Sequence, residues 1–202
     1  MLNASQCYQV FSQSIHEYHV FNSPDSAIHN PFGEASLERL LYNKNWIDTV
    51  QWHLEDLIRD PSIDPVEAIA LKRRIDKSNQ DRTDIVERID DYFLDDLKSV
   101  KPPSSARQNS ETPAWLLDRM SILLLKIYHM EEQVNRPDAD AQHKARCQSK
   151  LTVLLEQKED MKVCFDELMD DLQKGIRKMK VYRQMKMYND ASMNPVLYAQ
   201  KK

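Results

Sequence analysis

The stretch Asn43-Lys-Asn-Trp-Ile-Asp-Thr-Val-Gln-Trp-His-Leu-Glu-Asp-Leu-Ile-Arg-Asp-Pro61 decides how this chain is read. Plotted at the helical angle of about 100° per residue, Leu40, Trp46, Ile47, Val50, Leu54, Leu57 and Ile58 share one broad apolar side. Trp52 falls almost opposite, among Asn45, Asp48, Thr49, Glu55, Asp56 and Arg59. A tryptophan inside a polar stripe has three explanations. Neighbouring helices bury both faces, the face lines a ligand site, or the ring is plain surface.

The same spacing recurs outward from this segment, so the chain reads as all-α: an antiparallel bundle of about five helices with a long C-terminal helix. Only 2 of 202 residues are glycine, against the usual ~7%, and sheets joined by tight turns need more. The first helix spans 4–21, with Val10, Ile15 and Tyr18 on its apolar side, and a loop follows over 22–33. The second runs from about 34 to 59 and stops at Asp60-Pro61, because the residue before proline disfavours α. Asp64 caps a third helix, with Pro65 at its first position, that continues to about Lys98.

Residues 100–113 form the longest break, a flexible linker or a functional loop. Thr112 and Pro113 open a fourth helix, 113–135, that is apolar most of the way round and therefore central. After a turn capped by Asp138 or Asp140, a long helix covers about 140–187, with a break at Gly175 as an option. The whole, 1–202, is one domain, with its core at about 35–172 and a basic helical end at 174–202.

Charged residues make up 30% of the chain and the net charge is −4, which argues for a soluble protein and against nucleic-acid binding. No apolar run reaches the ~18 residues of a membrane span. The start lacks a basic segment followed by an apolar one, so secretion is not expected. Cys7, Cys147 and Cys164 read as free thiols of a reducing cytoplasm, with no zinc spacing.

Four constellations could carry chemistry. In the Trp52 stripe, Glu55 and Asp56 could hold Mg²⁺ or Mn²⁺ or move protons, and Glu55 also suits an i,i+4 pair with Arg59. In the third helix Arg82 projects into the apolar arc of Leu71, Ile75, Val86, Ile89 and Phe93, with Asn79 at its edge and Asp76 and Gln80 beside it. A buried arginine needs a carboxylate, and the short 62–65 turn offers Glu55 or Asp56. In the fourth helix Trp115, Arg119, Ile122, Lys126, His129 and Gln133 share an arc; Arg119 and Lys126 could neutralise an anion, and His129 could act as a base. The fourth is the basic run 174–186, with Met179, Tyr182, Met185 and Met187 as docking groups or a solvated end. His16-x-x-His19, His53-x-x-Asp56 and His129-x-x-Glu132 are single i,i+3 pairs, short of a di-iron pattern, and phosphate-loop and nucleophile-elbow motifs are absent.

Three blocks in order, 44–61, 71–90 and 109–133, resemble the bacterial family known as domain of unknown function 4254, in the version common among Bacteroidetes. The resemblance covers about 35–135 closely. It implies a cytoplasmic helical protein of about this length, linked to lipopolysaccharide or envelope-glycan synthesis. The family's motif positions match here as Asn45, Trp52, Glu55, Asp56 and Arg59, then Asp76, Asn79, Gln80, Arg82 and Asp84, then Asp118, Arg119 and His129.

Three functions from different classes follow. The first is a non-enzymatic protein with a polar intra-bundle pocket, binding a small phosphorylated ligand or a glycosyltransferase partner. The second is a hydrolase or transferase of nucleotide or sugar phosphates, with a divalent ion on Glu55, Asp56 and Asp76 and with Arg82 or Arg119 on the phosphate. The third is a homo-oligomer joined through the Trp52 face.

Overall fold

A computed structural model describes residues 2–185, 187 and 190–199. Among them lie six helices and no strand: α1 (Ala4–Phe21), α2 (Leu37–Leu57), α3 (Pro65–Asp96), α4 (Pro113–Asn135), α5 (Ala141–Gln173) and the short α6 (Pro195–Ala199). Each long helix starts where a side chain satisfies the free first-turn amides. Asp64 accepts from Val66 and Glu67, Thr112 from Trp115, and Asp140 from His143, with prolines in the first positions of α3 and α4. Asn3 and Gln6 close a reciprocal capping box on α1. The first helix ends at Asn22, in the left-handed region at φ 48°.

The apolar helix α4 packs against α1, α2, α3 and α5, so its buried residues Leu117, Met120, Leu123 and Ile127 form the middle of the core. Around them stand Phe11 and Tyr18 from α1, Leu41 and Tyr42 from α2, Ile89 and Phe93 from α3, and Phe165 from α5. Burying such side chains contributes roughly 1.5–3 kcal/mol each, which sets the bundle's shape. Trp46 lies inside this core, stacked on Tyr42 at 6.1 Å and edge-on to Tyr18 at 5.2 Å. A smaller cluster, Leu54, Leu71 and Ile75, locks α2 to α3 beside their connection.

The structure departs from the sequence reading at the C-terminal end. The long helix stops at Gln173 rather than continuing to about 187. Gly175 takes φ +68°, a left-handed turn that an L side chain enters only with strain. The basic run then leaves the helix: the Arg107 amide donates to the Ile176 carbonyl at 2.9 Å, and the Lys178 amide to the Arg107 carbonyl at 2.9 Å. The expected helical end over 174–202 is helical only at α6 among the described residues, and residues 186, 188, 189 and 200–202 lie outside them. The 100–113 segment is thus pinned by this strap, with Lys178 Nζ donating to the Ser104 carbonyl and Arg177 to Asn109. Among the described residues, no helix is long and apolar enough to cross a membrane.

Candidate functional site

The polar stripe of α2 meets polar groups from α3 and α4. Lys44 and Asp48 lie one turn apart on α2, and Lys44 is only 1% exposed. A buried ammonium must spend its donors on protein acceptors. Lys44 Nζ bonds Asp48 Oδ2, lies 2.9 Å from Asp118 Oδ1 and donates to the Asp118 carbonyl at 3.2 Å. Arg82 of α3 clamps the same Asp118 with two bonds, Nε to Oδ1 at 2.8 Å and Nη2 to Oδ2 at 2.5 Å. Ser121 donates to Asp48 Oδ2 at 2.6 Å, and Asn45 donates to Ser121 at 3.0 Å. Two cations and two carboxylates thereby close a balanced network across three helices.

This arrangement pushes the two carboxyls apart. Burial raises Asp48 above its ordinary range, with Lys44 opposing and Asp118 reinforcing the rise. Burial also works against ionised Asp118, but Lys44 and Arg82 outweigh it and hold the group below the usual range. Arg82 is raised above its ordinary value: burial pulls it down, and Asp118 and Asp48 more than reverse that.

Above the network opens a cleft of about 390 Å³, lined by Asp48, Gln51, Trp52, Glu55, Asp56, Arg59, Arg82, Ile122 and Leu125. Trp52 and Asp56 also wall two adjoining hollows. One, of about 790 Å³, is mostly apolar and carries Lys126 and Lys150. The other, of about 520 Å³, gathers His19, His53, His129 and Glu132. Half-buried Trp52 thus stands at the junction of three concavities, and its ring stacks on His129 at 4.8 Å and 15°. His129 Nδ1 pairs with Glu132 Oε2 at 2.7 Å; a carboxylate only accepts, so the proton sits on Nδ1.

The site residues expected from sequence fall into three groups. Trp52, Glu55, Asp56, Arg59 and Arg82 come together on the first cleft, and His129 supports the Trp52 ring from the adjoining hollows. Asn79 acts one layer back, accepting from Gln51 at 2.9 Å, and Asn45 is buried beneath the cleft. Asp76, Gln80 and Arg119 line none of these three concavities: Asp76 pairs with Lys72, Gln80 donates to Asp84 at 2.7 Å, and Arg119 pairs with Glu111 at 2.8 Å.

Two expectations are corrected. The partner of Arg82 is Asp118, with Asp48 at 3.5 Å, rather than Glu55 or Asp56. Helix α4 packs against both α2 and α3, so its carboxylate reaches the guanidinium, whereas Glu55 is taken by Arg59 at 2.7 Å. The divalent-ion set of Glu55, Asp56 and Asp76 does not assemble: among the described residues, no three His, Cys, Asp or Glu side chains gather as a metal requires.

Lys44, Gln51 and Ser121 escaped the sequence reading. The available signal was the Lys44–Asp48 i,i+4 spacing on the polar side of α2. A family described as Protein of unknown function (DUF4254) matches residues 38–181, which takes in every residue of the network and the cleft. No curated protein and no solved structure matches the chain.

Proposed function

The chain belongs to the DUF4254 family of proteins of unknown function, and we propose that it is a binding protein that holds a small polar ligand against Trp52 in the cleft between α2, α3 and α4. One observation carries this reading. Trp52 is a half-buried indole fixed by stacking on His129, and it faces a cleft floored by a charge network that is already balanced. Such a network sets shape and hydrogen-bonding pattern before any ligand arrives, which lowers the ordering penalty of binding.

The role is recognition rather than turnover. Lys44 has all three donors engaged, and Asp118 is held ionised by two cations, so neither group is free to shuttle a proton. An anionic end of the ligand, such as a phosphate, would lie toward Lys126 and Lys150 in the adjoining hollow. Sugar phosphates and nucleotide sugars are the ligands to try first, as those of an accessory protein of envelope-glycan synthesis.

The test is a thermal-shift screen of sugar phosphates, nucleotide sugars, nucleotides and polyamines on the protein and on Trp52→Ala. At a hundredfold excess over its Kd, a true ligand stabilises the fold by about 2.7 kcal/mol. The shift should vanish in Trp52→Ala. Shifts of equal size in both proteins would rule out the Trp52 cleft as the binding site.

A further inference from the structure

The cleft holds an acceptor and a set of donors that no described residue uses. Asp48 has a side chain only 2% exposed, and its Oδ2 is taken by Lys44 and Ser121. Its Oδ1, itself buried, has no hydrogen-bond partner among the described residues, and Asp48 lines the cleft. A buried carboxylate oxygen left without a donor is costly, so its place in a cleft wall points to a partner supplied from outside. Beside it, Arg82 commits Nε and one hydrogen of Nη2 to Asp118. Its Nη1 makes no hydrogen bond to a described residue, and the side chain is 27% exposed at the cleft. Nε, already bonded to Asp118, lies 3.5 Å from Asp48 Oδ1, so the guanidinium that carries the spare Nη1 is the neighbour of the bare acceptor.

On this ligand-site reading of the cleft, we infer that the group recognised is a vicinal diol on a ring with one apolar face, which is the chemistry of a sugar or cyclic polyol. One hydroxyl donates to Asp48 Oδ1 and accepts from Arg82 Nη1, which satisfies both open groups with a single oxygen. The next hydroxyl along the ring meets the planar polar groups of Gln51 and Glu55 on the same wall. The ring's C–H face lies on Trp52, and Ile122 and Leu125 line the rest of the slot.

Two competing chemistries fit less well. An ammonium could donate to Asp48 but would leave the Arg82 donors unused and feel the guanidinium as a like charge. A phosphate could take the Arg82 donors but would meet Asp48, Glu55 and Asp56 together, with Arg82 already neutralised by Asp118. Unlike either ion, a hydroxyl pair donates to Asp48 and accepts from Arg82 without adding a charge to the network.

The test is calorimetric titration with glucose 1-phosphate, mannose 1-phosphate, myo-inositol and the single-deoxy analogues of each sugar, with ethanolamine and inorganic pyrophosphate as probes lacking a diol. At least one polyol should bind the unaltered protein, and removing either hydroxyl of one adjacent pair should weaken it tenfold or more. Asp48→Asn and Arg82→Lys should each cost a similar factor. The deoxy series on the unaltered protein keeps the test decisive if either variant fails to fold. Binding of ethanolamine or pyrophosphate alone, lost in Trp52→Ala, would overturn the diol and leave the Trp52 site standing. Polyol binding that no single deoxygenation and neither variant weakens would also overturn it. Failure of every probe, together with an unresponsive Trp52 in the wider screen, would remove the diol and the site at once.

Discussion

Removing Asp118 should destabilise this bundle far more than removing any of its exposed carboxylates. Asp118 is 3% exposed and accepts from Lys44 at 2.9 Å and from Arg82 at 2.8 and 2.5 Å. In Asp118→Ala the buried Lys44 ammonium keeps Asp48 and the main-chain carbonyl of residue 118 but loses the second carboxylate, Ser121 and Asp48 sit beside an over-charged pair of cations, and Arg82 loses its clamp. Breaking a buried ion pair from one side costs about 3–5 kcal/mol. For a domain of this length each kcal/mol moves Tm by roughly 2–4 °C, so Asp118→Ala should melt about 6–20 °C lower. Glu55→Ala is the control: its partner Arg59 has a side chain 65% exposed, so its loss should stay within about 1 kcal/mol.

The pH dependence follows from the same contacts. Asp118 is held below its ordinary range, so its stabilisation is complete above the unfolded value and is lost as pH falls through the folded one. The gap between the unaltered protein and Asp118→Ala should therefore be full at neutral pH and close only in acid. Adding Lys44→Met to Asp118→Ala should recover at least about 1 kcal/mol of the summed single losses, since the unpaired ammonium goes with it. Urea melts at pH 7 and at pH 3–4 measure all of this. An Asp118→Ala loss no larger than that of Glu55→Ala would refute the account of the network.

Three further outcomes follow from other parts of the molecule. Asp90 is buried, its Oδ1 has no hydrogen-bond partner among the described residues, and burial, opposed by Thr112 and Arg183, lifts its carboxyl to about 6. A raised carboxylate stabilises the fold only as it takes up its proton, so stability should rise as pH falls from about 6 toward the unfolded value. Asp90→Asn should then gain ~1–3 kcal/mol at pH 8, and a gain that is absent there and appears only in acid would reverse the sign of the argument. Gly175→Ala should cost about 1 kcal/mol or more, because φ is +68° and the added Cβ would lie 3.4 Å from Pro102 Cα; protease nicking near residues 100–107 should rise with it, and unchanged melting and nicking would contradict the strap. Trp115 and Trp46 substitutions should leave ligand affinity unchanged where Trp52→Ala abolishes it, since neither lines the cleft.

What the sequence disclosed and what it hid divide along a physical line. Start signals are local, so Asp64-Pro65, Thr112-Pro113 and Asp140 could be read directly, and the helices begin there. The end of α5 is not legible in the sequence because Met179 and Tyr182 continue an amphipathic rhythm past Gly175, and the rhythm does not register that the chain finds better partners in Arg107 and Ser104. The odd placement of Trp52 marked the cleft because a mispatterned aromatic is itself a local signal. The partner of Arg82 is hidden in the sequence because faces alone do not say which third helix fills the gap. One residue along a helix is about 100° of rotation, so Asp118 turns into the bundle while its neighbour Arg119 turns out to Glu111.

The central claim, that Trp52 faces a ligand cleft, is tested most directly by fluorine NMR on protein labelled with 5-fluorotryptophan at its three tryptophans. With the Trp52 signal assigned from Trp52→Phe, titration of the strongest thermal-shift hit should move that resonance in a saturable way while buried Trp46 stays in place. Movement of the Trp46 and Trp115 signals with Trp52 unmoved at saturation would contradict the account.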